Sequence, residues 1–206
     1  MYALPVANRT FTSEIEMKRS RFLGHIRRVQ SEAEAREFIH AVRQKFPDAR
    51  HHCSAFIFHV DDAQPVERFS DDGEPSGTAG GPMLGVLQGS GLLDVAAVVV
   101  RYFGGVKLGT GGLVRAYSDA VSETLQRVET TTRSRQDVYR LRVDHGTGGR
   151  LEAELRARGI TVLETQCDAQ IEFLLAVEPG ADLEAEVSAL TSGSVAPTKL
   201  GQRWVE

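Results

Sequence analysis

Five glycines, at 104, 105, 109, 111 and 112, fall in one short stretch together with Arg101, Lys107 and Arg115. Glycines let a ligand approach the backbone closely, and the free N–H groups at a helix start carry partial positive charge. If a helix begins at Thr110, then Gly109, Thr110, Gly111 and Gly112 present amides to an anion, with the three cations around them. The competing reading is a tight turn that needs left-handed backbone at several positions. A second group of chemistry-bearing residues lies upstream. Ser70-Asp71-Asp72-Gly73-Glu74-Pro75-Ser76-Gly77 packs three carboxylates into a turn-rich loop, without the D-x-[DN]-x-[DN]-G spacing of a calcium loop. Asp71, Asp72 and Glu74 could hold a divalent cation beside a phosphate, pair with Arg101 and Lys107, or cap turns and face water. Further candidates are the adjacent His51 and His52, the basic run Lys18-Arg19-Ser20-Arg21-Phe22, and Arg50.

The elements that position these residues are legible from periodicity. Asp94 to Phe103 is a continuous, valine-rich apolar run, which favours a buried strand. Leu113, Tyr117, Val121, Leu125 and Val128 recur at helical spacing. The reading is strand, glycine loop, helix. Residues 9–29 read as two strands with a basic turn between them, whose lysine and arginine would also discourage edge-to-edge association. Ser31-Glu32-Ala33-Glu34 has the form of a capping box, and Pro47 stops the helix that follows. His51 to Phe58 reads as a strand, so the two histidines point to opposite faces and form no chelating pair. Val66 to Phe69 is a short strand, and Pro82 to Leu93 a glycine-interrupted helix. Twelve of the 20 glycines lie between Gly73 and Gly112, which argues for backbone approaching backbone or ligand. Glu129 to Arg135 is polar and aperiodic and reads as a linker. Beyond it the order strand, helix, strand, strand, helix, strand predicts a ferredoxin-like βαββαβ domain with no catalytic cluster. The expected domains are 1–130 and 135–206.

Composition bounds the function. The chain has 206 residues, a net charge of −4, and 41% hydrophobic and 25% charged residues, as expected for a globular protein. That charge disfavours coating nucleic acid by bulk electrostatics but leaves room for a local basic patch. Cys53 and Cys167 lie far apart, in no metal-ligand spacing, so neither a disulfide framework nor a metal site is expected. The N-terminus lacks a secretory pattern and no run has membrane-spanning length, so a cytoplasmic location is the default.

Four blocks in order resemble the IMPACT/YigZ family: Lys18 to Phe22; Asp48-Ala49-Arg50-His51-His52-Cys53; Phe69 to Gly80; and Val100-Arg101-Tyr102-Phe103-Gly104-Gly105 with Leu108 to Tyr117. The resemblance implies an α+β chain: an N-terminal ribosomal protein S5 domain 2-like domain, then a ferredoxin-like domain, similar to the last two domains of the translocating elongation factor. Eukaryotic IMPACT is a translation regulator that acts through an extra N-terminal domain outside the matched blocks, so its partner interaction is not expected to carry over. A proline dipeptidase label given to some members finds no metal-ligand set in this sequence.

Two functions follow as expectations. The first is a non-enzymatic, translation-related regulator that binds RNA or the ribosome. Lys18, Arg21, Arg50, Arg101, Lys107 and Arg115 would surround the anion loop, with no cofactor and no membrane partner. Tyr102, Phe103 or Tyr117 could stack on a base, although Phe103 and Tyr117 read more readily as core. The alternative is an enzyme on a phosphorylated small molecule or nucleotide. Leu108 to Gly112 resembles the P-x-x-x-G-L-G-S-S-A loop of small-molecule kinases with its serines and proline missing. In that version the acidic loop would hold a metal, and a histidine would move a proton.

Overall fold

The most hydrophobic strand lies at the centre of the architecture. In β6 (Val95–Tyr102), Val95, Ala97 and Val99 enter one core and Ala96, Val98 and Val100 another. Successive side chains of a strand point to opposite faces, so a strand buried on both sides reads as an unbroken apolar run. The computed structural model describes all 206 residues. They form two compact units, Tyr2–Thr132 and Arg133–Glu206, in an α+β arrangement.

In the first unit β6 is flanked by β3 (Ser20–Arg28) and β4 (His51–Phe58). β2 (Thr10–Met17) and β5 (Val66–Ser70) complete an antiparallel sheet of order β2-β3-β6-β4-β5. One face is covered by α1 (Glu32–Lys45), whose Phe38 and Val42 pack with Val98 and Val100. Ser31 caps α1 as its spacing predicts: its side chain accepts from Glu34 N–H at 3.2 Å, while the Glu34 carboxylate reaches back to Gln30 N–H at 2.8 Å. The other face carries α2 (Gly80–Ser90) and α3 (Thr110–Leu125). Met83, Leu87, Leu113, Tyr117 and Val121 fill the core there with Phe22 and Ile26. Asp94, 1% exposed, anchors the start of β6, accepting from Tyr2 Oη at 2.9 Å and His59 N–H at 2.9 Å.

A short first strand, β1 (Tyr2–Pro5), has no counterpart in the sequence reading. It is brief and ends in proline, and its order comes from tertiary contacts: Leu4 is fully buried, and Leu93 N–H donates to the Ala3 carbonyl at 3.0 Å.

The second unit contains β7 (Thr130–Val143) from Arg133 onward, α4 (His145–Ala157), β8 (Thr161–Cys167), β9 (Ile171–Val177), α5 (Leu183–Thr191) and β10 (Thr198–Val205). The strand order β10-β7-β9-β8 with antiparallel pairing is the ferredoxin-like plan. Its core is Leu141, Phe173 and Leu175 from the sheet with Leu151, Leu155, Leu183 and Val187 from the helices. The linker expected over Glu129–Arg135 is corrected here. From Thr130 onward these residues begin β7, and Ser134 and Arg135 pair with Val205 and Trp204 of β10. The β-branched threonines suit a strand, and pairing supplies what a polar, aperiodic segment does not advertise. None of the five helices is long and apolar enough to cross a membrane.

Candidate nucleic-acid interface

A row across three strands lays the floor of the site. Arg101 of β6 stands opposite Phe22 of β3 on one side and His51 of β4 on the other. Its residue parity puts it on the α2/α3 face of the sheet, where Phe22 and Cys53 are already core. A guanidinium on that face must be paired, and Glu74 pairs it: Arg101 Nη1 lies 2.6 Å from Glu74 Oε1, with the side chains 7% and 4% exposed. The same carboxylate oxygen accepts from the Tyr117 hydroxyl at 2.8 Å. Tyr117, fully buried, meets Phe22 edge-on at 5.2 Å between ring centroids. Burial, and then the neighbouring Cys53 and Glu74, raise the Tyr117 phenol above its ordinary range. Burial also pushes the Cys53 thiol up to about 12, so it stays protonated and donates to the Asp71 carbonyl at 3.0 Å.

The acidic loop is therefore tied down by protein donors. Asp71 accepts the N–H groups of Gly77 (2.8 Å), Ala79 (3.0 Å) and Gly80 (2.8 Å), which places a carboxylate on the N-terminus of α2. Asp72, with φ of 42°, binds Arg43 at 2.8 Å and His52 N–H at 2.7 Å. Of the three readings open for this loop, the ion-pair and capping readings describe it. The pairing with Arg101 is present through Glu74, and no group of carboxylates, histidines and cysteines converges on a metal position.

Above the floor a cleft of about 430 Å³ opens between the acidic loop and the start of α3. Its walls are Arg50, His51, Glu74 and Pro75 on one side and Phe103, Lys107, Leu108, Gly109 and Thr110 on the other, with Arg101 and Leu113 below. Gly109 begins the helix with φ of 76° and ψ of 169°, a left-handed backbone that favours glycine. No side chain caps α3, and its first intrahelical bond runs from Leu113 N–H to the Gly109 carbonyl at 3.0 Å. The amides of the first turn thus have no partner within the helix. His51 donates from Nδ1 to the Asp72 carbonyl at 2.9 Å, since a carbonyl only accepts. In the neutral ring that leaves Nε2 as the acceptor.

The predicted site residues separate by position. Arg50, His51, Glu74, Arg101, Lys107, Gly109 and Thr110 come together in this cleft. Gly111 and Gly112 lie in the first turn of α3, outside the lining, and Arg115 is exposed one turn on. Arg21 sits on the opposite sheet face, bound to Glu14 through Nε at 2.6 Å and Nη2 at 3.1 Å. Lys18 is exposed in the β2–β3 turn. His52 is 3% exposed on the α1 side of the sheet and donates from Nε2 to the Phe46 carbonyl at 3.0 Å. Tyr117 is core, as expected, but Phe103 is not: it is 54% exposed on the cleft rim, with the Arg101 guanidinium 5.6 Å from its ring centroid. Its hydrophobicity, at the end of an apolar run, gave no sign that the strand stops at Tyr102.

The rim is also tightly packed. An added Cβ at Gly104 would lie 2.0 Å from the Arg19 carbonyl, so the β2–β3 turn rests against the loop that carries Phe103. Gly104→Ala is expected to cost about 1–3 kcal/mol, as for other overpacked positions, readable as a lowered urea midpoint.

Residues 18–125 match the Impact N-terminal domain. The chain belongs to the IMPACT family. Among IMPACT family relatives, YvyE of Bacillus subtilis is 42% identical over 80% of this chain and 75% of its own length. YigZ of Escherichia coli is 41% identical over 82% and 78%. A crystal structure of a hypothetical protein, 36% identical, covers 96% of both chains with a TM-score of 0.64. The Impact N-terminal match contains the whole cleft, from Arg50 to Leu113.

Proposed function

We propose that this IMPACT-family chain is a non-enzymatic RNA- or ribosome-binding protein, acting on translation in the cytoplasm, with the cleft at the start of α3 as its anion seat. The observation that carries the reading is the uncapped N-terminus of α3 facing a cleft where three cations, Arg50, Arg101 and Lys107, outnumber the single carboxylate of Glu74. A phosphate there would gain the helix-end amides and charge-assisted bonds from guanidinium and ammonium. Because the chain as a whole is acidic, such a patch would act locally, not by bulk attraction. Translation as the setting is what family membership suggests.

The test is salt-dependent binding to RNA followed by fluorescence anisotropy. The intact chain is expected to bind, with affinity falling steeply as salt rises. Lys107→Glu and Arg50→Glu, both exposed positions, are each expected to weaken binding by roughly tenfold and to reduce the log–log salt slope by about 1. No RNA or ribosome association at low salt, or unchanged affinity in both variants, would remove the cleft from the function.

A further inference from the structure

We propose that the cleft takes an unpaired nucleotide of single-stranded RNA, with its phosphate at the α3 N-terminus and its base on Phe103; this rests on the reading of the cleft as an RNA site. Two independent features point to such a ligand. The first is an unspent donor. Arg101 is 7% exposed and gives Nη1 to Glu74, yet its Nε is buried with no partner. A buried donor without an acceptor is costly, and Arg101 lines the cleft beside the uncapped helix start, so a small turn of its guanidinium would bring Nε to an incoming oxyanion.

The second feature is the aromatic rim. Phe103 is 54% exposed, and its ring stands beside the guanidinium that would hold the phosphate. A phosphate seat and an open ring side by side match the two ends of one nucleotide, a charged end and a flat apolar end. The cleft volume of about 430 Å³ lies in the range of sites for small molecules, roughly 300–1,000 Å³, and is not a groove for a helix. In a duplex the base faces are covered by their stacked neighbours, and A-form RNA offers a protein its backbone and shallow groove. A ring on the rim can stack only on a base that is free of its pair.

The turn whose backbone lies against Gly104 also carries two cations. Lys18 and Arg19 form the β2–β3 turn with φ of 49° and 66°, both exposed. Two-residue hairpin turns of that geometry ordinarily use asparagine and glycine. Gly104, next to Phe103, lets the turn sit against the rim. A strand whose base lies on Phe103 would meet these two cations with its adjoining phosphate.

The experiment compares a labelled single-stranded RNA with its duplex of equal length, titrated with the full chain. The single strand is expected to bind at least tenfold tighter. Phe103→Ala is expected to weaken single-strand binding by roughly tenfold at unchanged salt slope, since stacking releases no counterions, and Phe103→Tyr to restore it. Because Phe103 is half exposed, thermal unfolding of these variants should match the parent, which separates lost stacking from lost folding. Equal or tighter duplex binding, or a Phe103→Ala variant that binds as the parent does while Lys107→Glu still weakens, overturns the nucleotide assignment and leaves the anion seat standing. No binding of either RNA overturns both.

Discussion

Replacing Glu74 by alanine is expected to destabilise the first unit by about 3–5 kcal/mol, the loss found when one partner of a buried ion pair is removed. Two groups would be stranded. Arg101 would keep its charge at 7% exposure with its Nη1 partner gone, and the Tyr117 hydroxyl, in a fully buried residue, would lose its acceptor. A guanidinium keeps its charge, so the cost appears as stability. Glu74→Gln is expected to cost less, because an amide oxygen still accepts. The double variant Glu74→Leu, Arg101→Met should recover part of the loss, since an apolar pair of similar volume replaces two desolvated charges. Urea unfolding of Glu74→Leu, Arg101→Met and the double variant measures this cycle, and additive losses in the double variant would show that the pair is not coupled. The same Glu74→Gln variant is expected to bind RNA more tightly while it folds less stably. The carboxylate neutralises part of the positive field in the cleft, and removing its charge frees the guanidinium for a phosphate. Such opposed effects mark a group that secures stability at the expense of binding.

How far the sequence discloses this site depends on the kind of signal each residue carries. β6 and α3 are visible because burial on both faces of a strand and on one face of a helix leaves a periodic trace. The opposite orientations of His51 and His52 follow from strand alternation alone, and one does line the cleft while the other is buried. What periodicity does not carry is which sheet face an isolated charge occupies relative to distant elements. Arg21 and Arg101 both stand at strand positions next to aromatics. They face opposite sides, because register puts Arg21 against Tyr102 and Phe22 against Arg101. That register is fixed by pairing across 80 residues of chain, beyond the reach of any local window. Phe103 departs from the apolar pattern for a related reason. Hydropathy continues past Tyr102, whereas the strand ends where Gly104 must pass close to the Arg19 backbone. The start of β7 is the converse, a polar segment in which Ser134 and Arg135 are held as strand by a partner, β10, that arrives about 70 residues later.

Asp71→Ala is expected to cost about 2–4 kcal/mol at neutral pH, and the loss should vanish in acid. One carboxylate accepts three backbone donors, of which the amides of Ala79 and Gly80 belong to buried residues. Hydrogen bonds to a charged acceptor contribute about 1.5–3 kcal/mol each before the shared cost of ordering the loop is subtracted. Burial works against the charge on Asp71, but the Gly77, Gly80 and Ala79 amides together outweigh it and hold the carboxyl below its ordinary value of 3.8. Asp72 is lowered too, with burial opposed by Arg43 and the His52 amide. A carboxyl whose folded-state pKa is depressed stabilises the fold above its unfolded-state value. That contribution is lost as pH falls through the folded-state value. The unfolding curves of the parent and of Asp71→Ala should therefore be well separated at neutral pH and converge below about pH 3.8. A gap that stays constant down to strong acid would mean that Asp71 contributes through shape and not through charge. The consequence reaches the cleft, because the loop that Asp71 clamps onto α2 carries Glu74 and Pro75, one wall of the anion seat. Loosening that clamp should weaken RNA binding at a residue that touches no ligand, and Asp71→Asn, which keeps an acceptor oxygen, should fall between the two.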